Sequence, residues 1–377
     1  MKSLRLRAAF MRGGTSKALM FHLRDLPADR SQWEAIFLRA IGSPDPSGRQ
    51  LNGMGGGVSS LSKVCVIGPP TRNDADVDYT FAQVLVKDAR VDYSGNCGNM
   101  SSAIGPFAID EQLVDAPDGD ALVRIHNTNT KKIIHALFRV DAGAALESGD
   151  LVIPGVAGSG APIRLDFRDP GGATTGKLLP SGRIVDRLDV PGMGSIDVSL
   201  VDAANATVFI RADALGLRGT ELPETLERDA DLLERFAAIR AAGSVAMGIT
   251  GDLASARMQT MVPFFAIVAP PLAFPTLAGE EIPAAAIDLS VRFISNGQPH
   301  RALPLTGSLC TAVAARLRGS IVHNVARRES NGALRLGMPS GVLTVDAAVT
   351  EHDGIWRAER GSFYRTARRL FDGYVYA

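Results

Sequence analysis

Short runs in which apolar and polar side chains alternate recur along the chain, and they predict strands more often than helices. Residues 4–11 alternate and read as a first strand, followed by a polar turn at 12–17 and a strand at 18–22. Two apolar runs end in Pro-Pro, KVCVIGPP at 63–70 and FFAIVAPP at 264–271, and read as buried strands. Each precedes an alternating strand opened by an aspartate, Asp78 in DYTFAQV and Asp288 in DLSVRFIS. Residues 122–126 and 133–140 read as paired strands, and 365–376 as a closing strand. Residues 197–211 read as two strands around a turn at 202–205, where Asn205 is expected to accept left-handed geometry. Helical periodicity is rarer. A capping box, Ser31-Gln32-Trp33-Glu34, predicts a helix with Trp33, Ile36, Phe37 and Ile41 on its apolar face, stopped by Gly42 and Pro44. A second helix over 223–242 turns Leu226, Leu232, Leu233, Phe236 and Ile239 inward and ends at Gly243.

One stretch carries chemistry as well as structure. Residues 91–109, VDYSGNCGNMSSAIGPFAI, read as a strand end, a turn at Ser94-Gly95-Asn96, Cys97, and a helix of small residues starting near Gly98. A helix opening there directs free N–H groups and the positive end of its dipole beside Cys97. An anion is stabilised in such a place, and a cysteine is drawn toward its thiolate. A buried strand–turn–helix corner fits the same residues equally well, because free cysteine is often buried. Residues 288–319 repeat the order of 78–105: alternating strand, turn, short strand, glycine-containing polar turn, small-residue helix. Self-similarity at about half the chain length suggests two copies of one domain. The Gly/Pro-rich run 152–182 marks the boundary, giving domains at 1–185 and 186–377, with the closing strand able to return to the first. Copies that face each other would bring the Cys97 turn and the Thr306-Gly307-Ser308 turn to one cleft, suited to a ligand with several carboxylates.

Other candidates lie in polar turns. Arg12, followed by Gly-Gly-Thr15-Ser16, can clamp a carboxylate, although an exposed arginine on a hairpin fits as well. The glycine-rich run 51–63 ends at Lys63 and matches neither a Walker loop nor a dinucleotide fingerprint. Lys63 stands at the mouth of an apolar strand, where desolvation lowers a lysine's pKa and suits it to act as a general base. An ordinary strand-edge lysine is the competing reading. The six histidines show no ligand spacing, and only His300 falls near a proposed site.

Composition narrows the function. At 377 residues, 46% apolar and 21% charged, with mean hydropathy +0.08, the chain has the make-up of a two-domain globular protein. Formal net charge is zero, so no basic field favours nucleic acid or a membrane surface, and a neutral surface permits self-association. Three scattered cysteines indicate neither a disulfide framework nor a metal cluster. No signal peptide or membrane-spanning run is read, which makes the cytoplasm the expected location.

The motifs MRGGTSK (11–17), IGSPDP (41–46), GMGGGVSSLSK (53–63), DVDYTFAQV (76–84), VDYSGNCGN (91–99), SLVDAAN (199–205) and HRALPLTGSLCTAVAA (300–315) resemble the PrpF family of isomerases, in the diaminopimelate-epimerase-like superfamily. The resemblance runs almost end to end. It implies an α+β fold of two similar domains, each a mostly antiparallel sheet or barrel around a central helix, with the active site in the cleft between them. Epimerases of the superfamily use two cysteines. Cys97 matches the first, Pro304 stands in place of the second, and Cys310 falls at a helix position, which disfavours an amino-acid racemase. The family pairs the lysine of its Ser-Lys motif with the cysteine of NCGN, here Lys63 and Cys97. It acts on unsaturated di- and tricarboxylic acids such as 2-methylaconitate, 4-oxalomesaconate and methylitaconate. The implied reaction moves an allylic proton through a dienolate and needs no metal or organic cofactor. Arg12, Thr15, Ser16, Ser60, Ser94, Asn96, Gly98, Asn99, Met100, His300, Thr306, Gly307 and Ser308 are the expected substrate-binding residues. A non-catalytic accessory protein of a metabolic dehydratase would keep such a cleft but has no need of both Lys63 and Cys97.

Overall fold

The period-two pattern produces strands throughout the computed structural model, which describes residues 4–93, 96–259, 262–295, 297–327 and 332–377. The chain forms two units, Met1–Arg168 with Tyr364–Ala377, and Asp169–Phe363.

In the first unit β1 (Arg5–Gly13) and β2 (Ser16–His22) form an antiparallel hairpin. β2 runs parallel to β3 (Lys63–Gly68), which is antiparallel to β4 (Val77–Val84). The short β5 (Val91–Asp92) pairs with β4. β4 is parallel to β6 (Gly119–Asn127), and β6 is antiparallel to β7 (Lys132–Asp141), which also pairs with β8 (Ala144–Ala145) and β9 (Ile163–Arg168). Alternation gives this sheet two apolar faces. Leu19, Phe21, Val64 and Val66 pack against Trp33, Ile36, Phe37 and Ile41 of helix α1 (Trp33–Ile41). The opposite face encloses helix α2 (Gly98–Asp110), which is buried from Met100 through Ile109. Small side chains at Ser101, Ser102, Ala103, Gly105 and Ala108 let the strands come close. A Cβ on Gly105 would stand 2.6 Å from the Phe138 ring and 3.1 Å from Ala136 Cβ on β7.

The second unit repeats the order. β10 (Asp186–Val190) pairs with β11 (Gly194–Ala203), and β11 is antiparallel to β12 (Asn205–Arg211). β12 is parallel to β13 (Phe264–Ala269); the short β14 (Phe274–Pro275) and β15 (Glu281–Ile282) form a separate ladder; β13 is antiparallel to β16 (Leu289–Ser295). After β17 (Gln298–Pro299), helix α6 (Leu305–Arg316) and β18 (Leu334–Met338), which is parallel to β16, come β19 (Gly341–His352) and β20 (Ile355–Arg365), both antiparallel. Helices α3 (Pro223–Glu227), α4 (Ala230–Ala246) and α5 (Leu253–Met258) precede β13, and α6 (Leu305–Arg316) is buried from Gly307 through Ala315. The chain ends in β21 (Ala367–Tyr376), which pairs with β1 in the first unit.

The sense of pairing along β1-β2-β3-β4-β6-β7 is therefore that along β11-β12-β13-β16-β18-β19. One clamp recurs as well. Asp76 donates its N–H to the Arg124 carbonyl and accepts from Arg124 N–H and guanidinium, and Asp288 does the same with Arg335. The repeat thus aligns Asp288 with Asp76, two residues earlier than the expected Asp78.

Other local expectations are corrected. Asp29, not Ser31, caps the turn before α1: Ser31 donates both its N–H and its hydroxyl to Asp29, and Glu34 accepts instead from Val91 N–H. The helix expected over 223–242 breaks into α3 and α4, because Asp229 caps a new start through Leu232 N–H. Gly243 lies within α4, where its missing Cβ lets the helix close on Val208. Ala204, not Asn205, takes the left-handed conformation (φ 61°). The Gly/Pro-rich run 152–182 contains β9, and its later part joins the second unit because Asp202 accepts from Thr174 and Thr175 N–H while Ala204 N–H donates to Pro170.

Gly105→Ala should destabilise the protein by about 1–2 kcal/mol in denaturant unfolding, overpacking outweighing the gain in helix propensity. Adding Phe138→Leu should recover part of that loss, since the clash is with that ring.

Candidate active site

In the first unit the expected residues gather around the start of α2. Cys97 is the residue before its first turn, half-buried and extended (φ −106°, ψ 99°). Its carbonyl accepts from Ser101 N–H (2.9 Å) and Ser101 Oγ (3.1 Å). The first helical N–H groups, those of Gly98, Asn99 and Met100, precede any intrahelical acceptor and form the donor end of the dipole. Asn96 turns inward to brace this start: its Oδ1 accepts from Ser101 Oγ and from Asn127 Nδ2, both at 3.3 Å. Ser94 lies outside the described residues.

The β1–β2 turn, Gly14-Thr15, closes against the same helix start. A Cβ on Gly13 would stand 2.7 Å from the Asn99 carbonyl oxygen, so only glycine permits the approach. Asn99 Nδ2 donates to Thr15 Oγ1 (3.0 Å), and Asn99 Oδ1 accepts from Arg365 Nε (3.0 Å). Burial brings the Arg365 guanidinium down to about 10. Ser16 is buried at the first position of β2. Arg12 Nη1 donates to the carbonyls of Gly14 (3.1 Å) and Thr366 (2.9 Å), fastening the turn to the chain's end.

Lys63 opens β3 and is 7% exposed. Its Nζ donates to Gln83 Oε1 (2.5 Å) and lies 5.1 Å from the centre of the Phe81 ring. Cys65, two residues on and on the same face of the strand, is fully buried, with Sγ 3.8 Å from Tyr79 Oη. Burial pushes the Cys65 thiol up; the charge of Cys97 raises it further, while the hydrogen bond with Tyr79 and the charge of Lys63 oppose this. One buried sulfur thus lies within electrostatic reach of both Lys63 and Cys97. Ser60 sits half-buried in the short turn at Ser59–Leu61 before Lys63.

In the second unit α6 begins at Leu305, so Thr306, Gly307 and Ser308 lie inside its first turn and not before it. Ser308 is spent: its N–H donates to the Pro304 carbonyl (2.8 Å) and its hydroxyl to that of Leu305 (2.8 Å). Thr306 is exposed, and Gly307 is buried against Phe293. His300 is half-buried; its Nε2 and Ser295 Oγ share a hydrogen bond at 2.6 Å. In the repeat, Lys63 corresponds to Phe264, Gln83 to Ser295 and Cys97 to Pro304, so at these positions the lysine, the amide and the thiol belong to the first unit. Among the described residues no three of His, Cys, Asp and Glu converge as metal ligands would.

Arg365 and Gln83 escaped the sequence reading. Arg365 is remote in sequence and carries no motif. Gln83 did leave a signal, as the polar residue in the inward phase of the alternating run Tyr79, Phe81, Gln83.

Comparison with known proteins places this geometry. The family model described as PrpF protein matches residues 3–377. The chain is 42% identical to the 3-methylitaconate isomerase of Eubacterium barkeri over 99% of its own length and 97% of the relative's. It is 37% identical to the 2-methyl-aconitate isomerase of Shewanella oneidensis (99% and 96%) and 36% identical to the 4-oxalomesaconate tautomerase of Pseudomonas putida (100% and 97%). The crystal structure of a methylitaconate-delta-isomerase superposes with a TM-score of 0.93 at 41% identity, covering all of this chain and 96% of that one. A hydroxyproline epimerase from Agrobacterium vitis shares the fold alone, with a TM-score of 0.50 at 11% identity over 99% and 92% of the two chains. The expected epimerase-like α+β fold is borne out.

Burial lowers the pKa of His300, and of His22 and His135 in the first unit. Below the ordinary histidine value near 6.5 the unfolded chain therefore binds protons that the folded one resists. Unfolding free energy should fall as pH drops through and below that value and level off above it. His300→Gln should flatten the slope measured by urea unfolding across that range.

Proposed function

Because the chain belongs to the PrpF protein family, we propose that it isomerises an unsaturated di- or tricarboxylic acid by moving an allylic proton, with Lys63 and Cys97 as the acid–base pair. The observation that carries this reading is that α2, with half-buried Cys97 at its open donor end, packs against β3, which the buried Lys63 opens. That helix start supplies the anion-binding donors the chemistry needs.

Lys63 Nζ, as the free amine, takes a proton from the carbon next to the double bond. The electron pair left behind delocalises through the C=C bond into the conjugated carboxylate or keto group as a dienolate. The N–H groups of Gly98, Asn99 and Met100 stabilise that charge in a fixed geometry, with no reorganisation as it develops. The Cys97 thiol returns a proton at the far carbon, and the double bond has moved by one position or reformed in the other geometry. The ammonium and thiolate then exchange a proton to restore the starting state. Thr15 and Asn99 shape the entrance beside the helix start.

The substrates named for the relatives, 3-methylitaconate, 2-methylaconitate and 4-oxalomesaconate, share an allylic C–H next to an alkene conjugated with a carboxylate. They define the panel to try. We place the reaction in the cytoplasm. A non-catalytic accessory role is the alternative that the test must separate.

Proton NMR in deuterated water, with aconitate, methylaconitate, methylitaconate and oxalomesaconate supplied in turn, reads the reaction directly. Wild type should place deuterium at one allylic carbon of one acid. Lys63→Met and Cys97→Ser should each slow exchange by about 10²–10⁴-fold. Exchange into none of the acids, with binding still detectable by calorimetry, would leave only the accessory role.

A further inference from the structure

We infer that Gln83 is the positioning residue of the base: its carboxamide holds the Lys63 amine in one direction without adding charge. This rests on the assignment of Lys63 above.

The β3–β4 register sets the two residues directly opposite one another. Gln83 Oε1 accepts from Lys63 Nζ, while its Nε2 donates to the carbonyls of Ser59 and Ser62, each at 3.0 Å. Those two carbonyls decide which end of the amide faces the lysine. A flipped carboxamide would set its oxygen against two carbonyl oxygens and its NH₂ against an amine. The turn that supplies them is itself anchored, because the buried Gln50 accepts from Ser62 Oγ (2.6 Å) and Gly57 N–H (2.9 Å). The chain thus spends two glutamines, Gln50 buried and Gln83 half-buried, on fixing the turn that leads into Lys63.

The consequence follows from the donor inventory. A neutral lysine amine has two N–H donors and one lone pair, and only the lone pair takes the substrate's proton. An oxygen locked as an acceptor engages an N–H and cannot cover the lone pair, so it aims the lone pair away from β4. A carboxylate at the same place would favour the ammonium by full charge and hold the base protonated. An apolar side chain would leave the amine without direction. The remaining surroundings are these: Ala18 is the β2 partner, Phe81 lies beside the amine on β4, Cys65, Tyr79 and Cys97 are the titratable groups nearby, and Asp92 on β5 is the partner of Gln83 on its other side. Among the described residues no carboxylate lies within ion-pair distance of Lys63. At the repeat position in the second unit, where phenylalanine replaces the lysine, the amide is absent too.

Gln83→Met and Gln83→Glu test the inference together. Two readings are needed: the pH profiles of kcat and KM for the acid identified above, and the titration of Lys63 itself in protein carrying isotope-labelled lysine. With seven lysines in the chain, the Lys63 Nζ/Cε signal is assignable by its loss in Lys63→Met. Gln83→Met should lower kcat by about 10²-fold with little change in KM. It should also move the acidic limb of the profile and the Lys63 titration to lower pH together. Gln83→Glu should move both to higher pH. A loss of activity in either folded variant with the Lys63 titration unmoved would overturn the inference and leave Gln83 a structural brace. Because the titration needs no turnover, a moved Lys63 signal in a protein that isomerises nothing would uphold the positioning role while sinking the catalytic reading.

Discussion

A helix enclosed on all sides by strands has one place where its backbone still offers hydrogen bonds, and the rest of the first unit is arranged around that fact. Along α2 every N–H past the first turn is committed to the helix ladder, and Ser102, Ala103, Gly105 and Ala108 keep the helix thin enough to be surrounded. Only the N–H groups of its first residues remain uncommitted, beside the half-buried Cys97. The glycine turn of β1–β2, Asn99 and Arg365 close around those donors without quenching them. The positions that permit burial of the helix are therefore the ones that define where an anion can be held.

Duplication supplies the frame twice but the chemistry once. The Asp76–Arg124 and Asp288–Arg335 clamps occupy the same place in the two units and hold equivalent parallel strands together. Such pairs, partly exposed and bidentate, fix register more than they add stability. The positions we propose for the chemistry have diverged: lysine against phenylalanine, cysteine against proline, glutamine against serine. Proton transfer by the proposed pair therefore draws its titratable side chains from one copy of the frame.

The duplication and the strand order were legible because burial on one face enforces period two and because apolar strands ending in Pro-Pro are conspicuous. The position of Cys97 before a small-residue helix was legible for the same reason. What the sequence hid was register and capping. Whether Asp76 or Asp78 begins the repeat depends on pairing with Arg124, far along the chain. Whether Ser31 or Asp29 caps a helix depends on which oxygen the hydroxyl donates to. Thr306–Ser308 looked like a turn because polar small residues serve turns and first helical turns alike. Gln83 and Arg365 became meaningful only when strand pairing placed one opposite Lys63 and the other against Asn99.

The neighbourhood of α2 also shows what the arrangement costs. A buried guanidinium that donates to the neutral oxygen of Asn99, with its pKa pulled down to about 10 by burial, is held in a less favourable state than in water. Lys63, 7% exposed and facing an amide oxygen, adds a second basic group to the same unit. Cations kept from solvent beside the positive end of a helix repel one another, and a fold selected for stability alone would place carboxylates among them. Here a carboxylate from the protein would occupy the anion's place and hold the lysine protonated. Neutral amides meet both basic groups: Asn99 accepts from the arginine and Gln83 from the lysine, and the positive end of the helix keeps its own donors. On the proposed reading, the potential of basic groups beside a helix start favours an anion there, and amide in preference to carboxylate keeps the proposed base free to act.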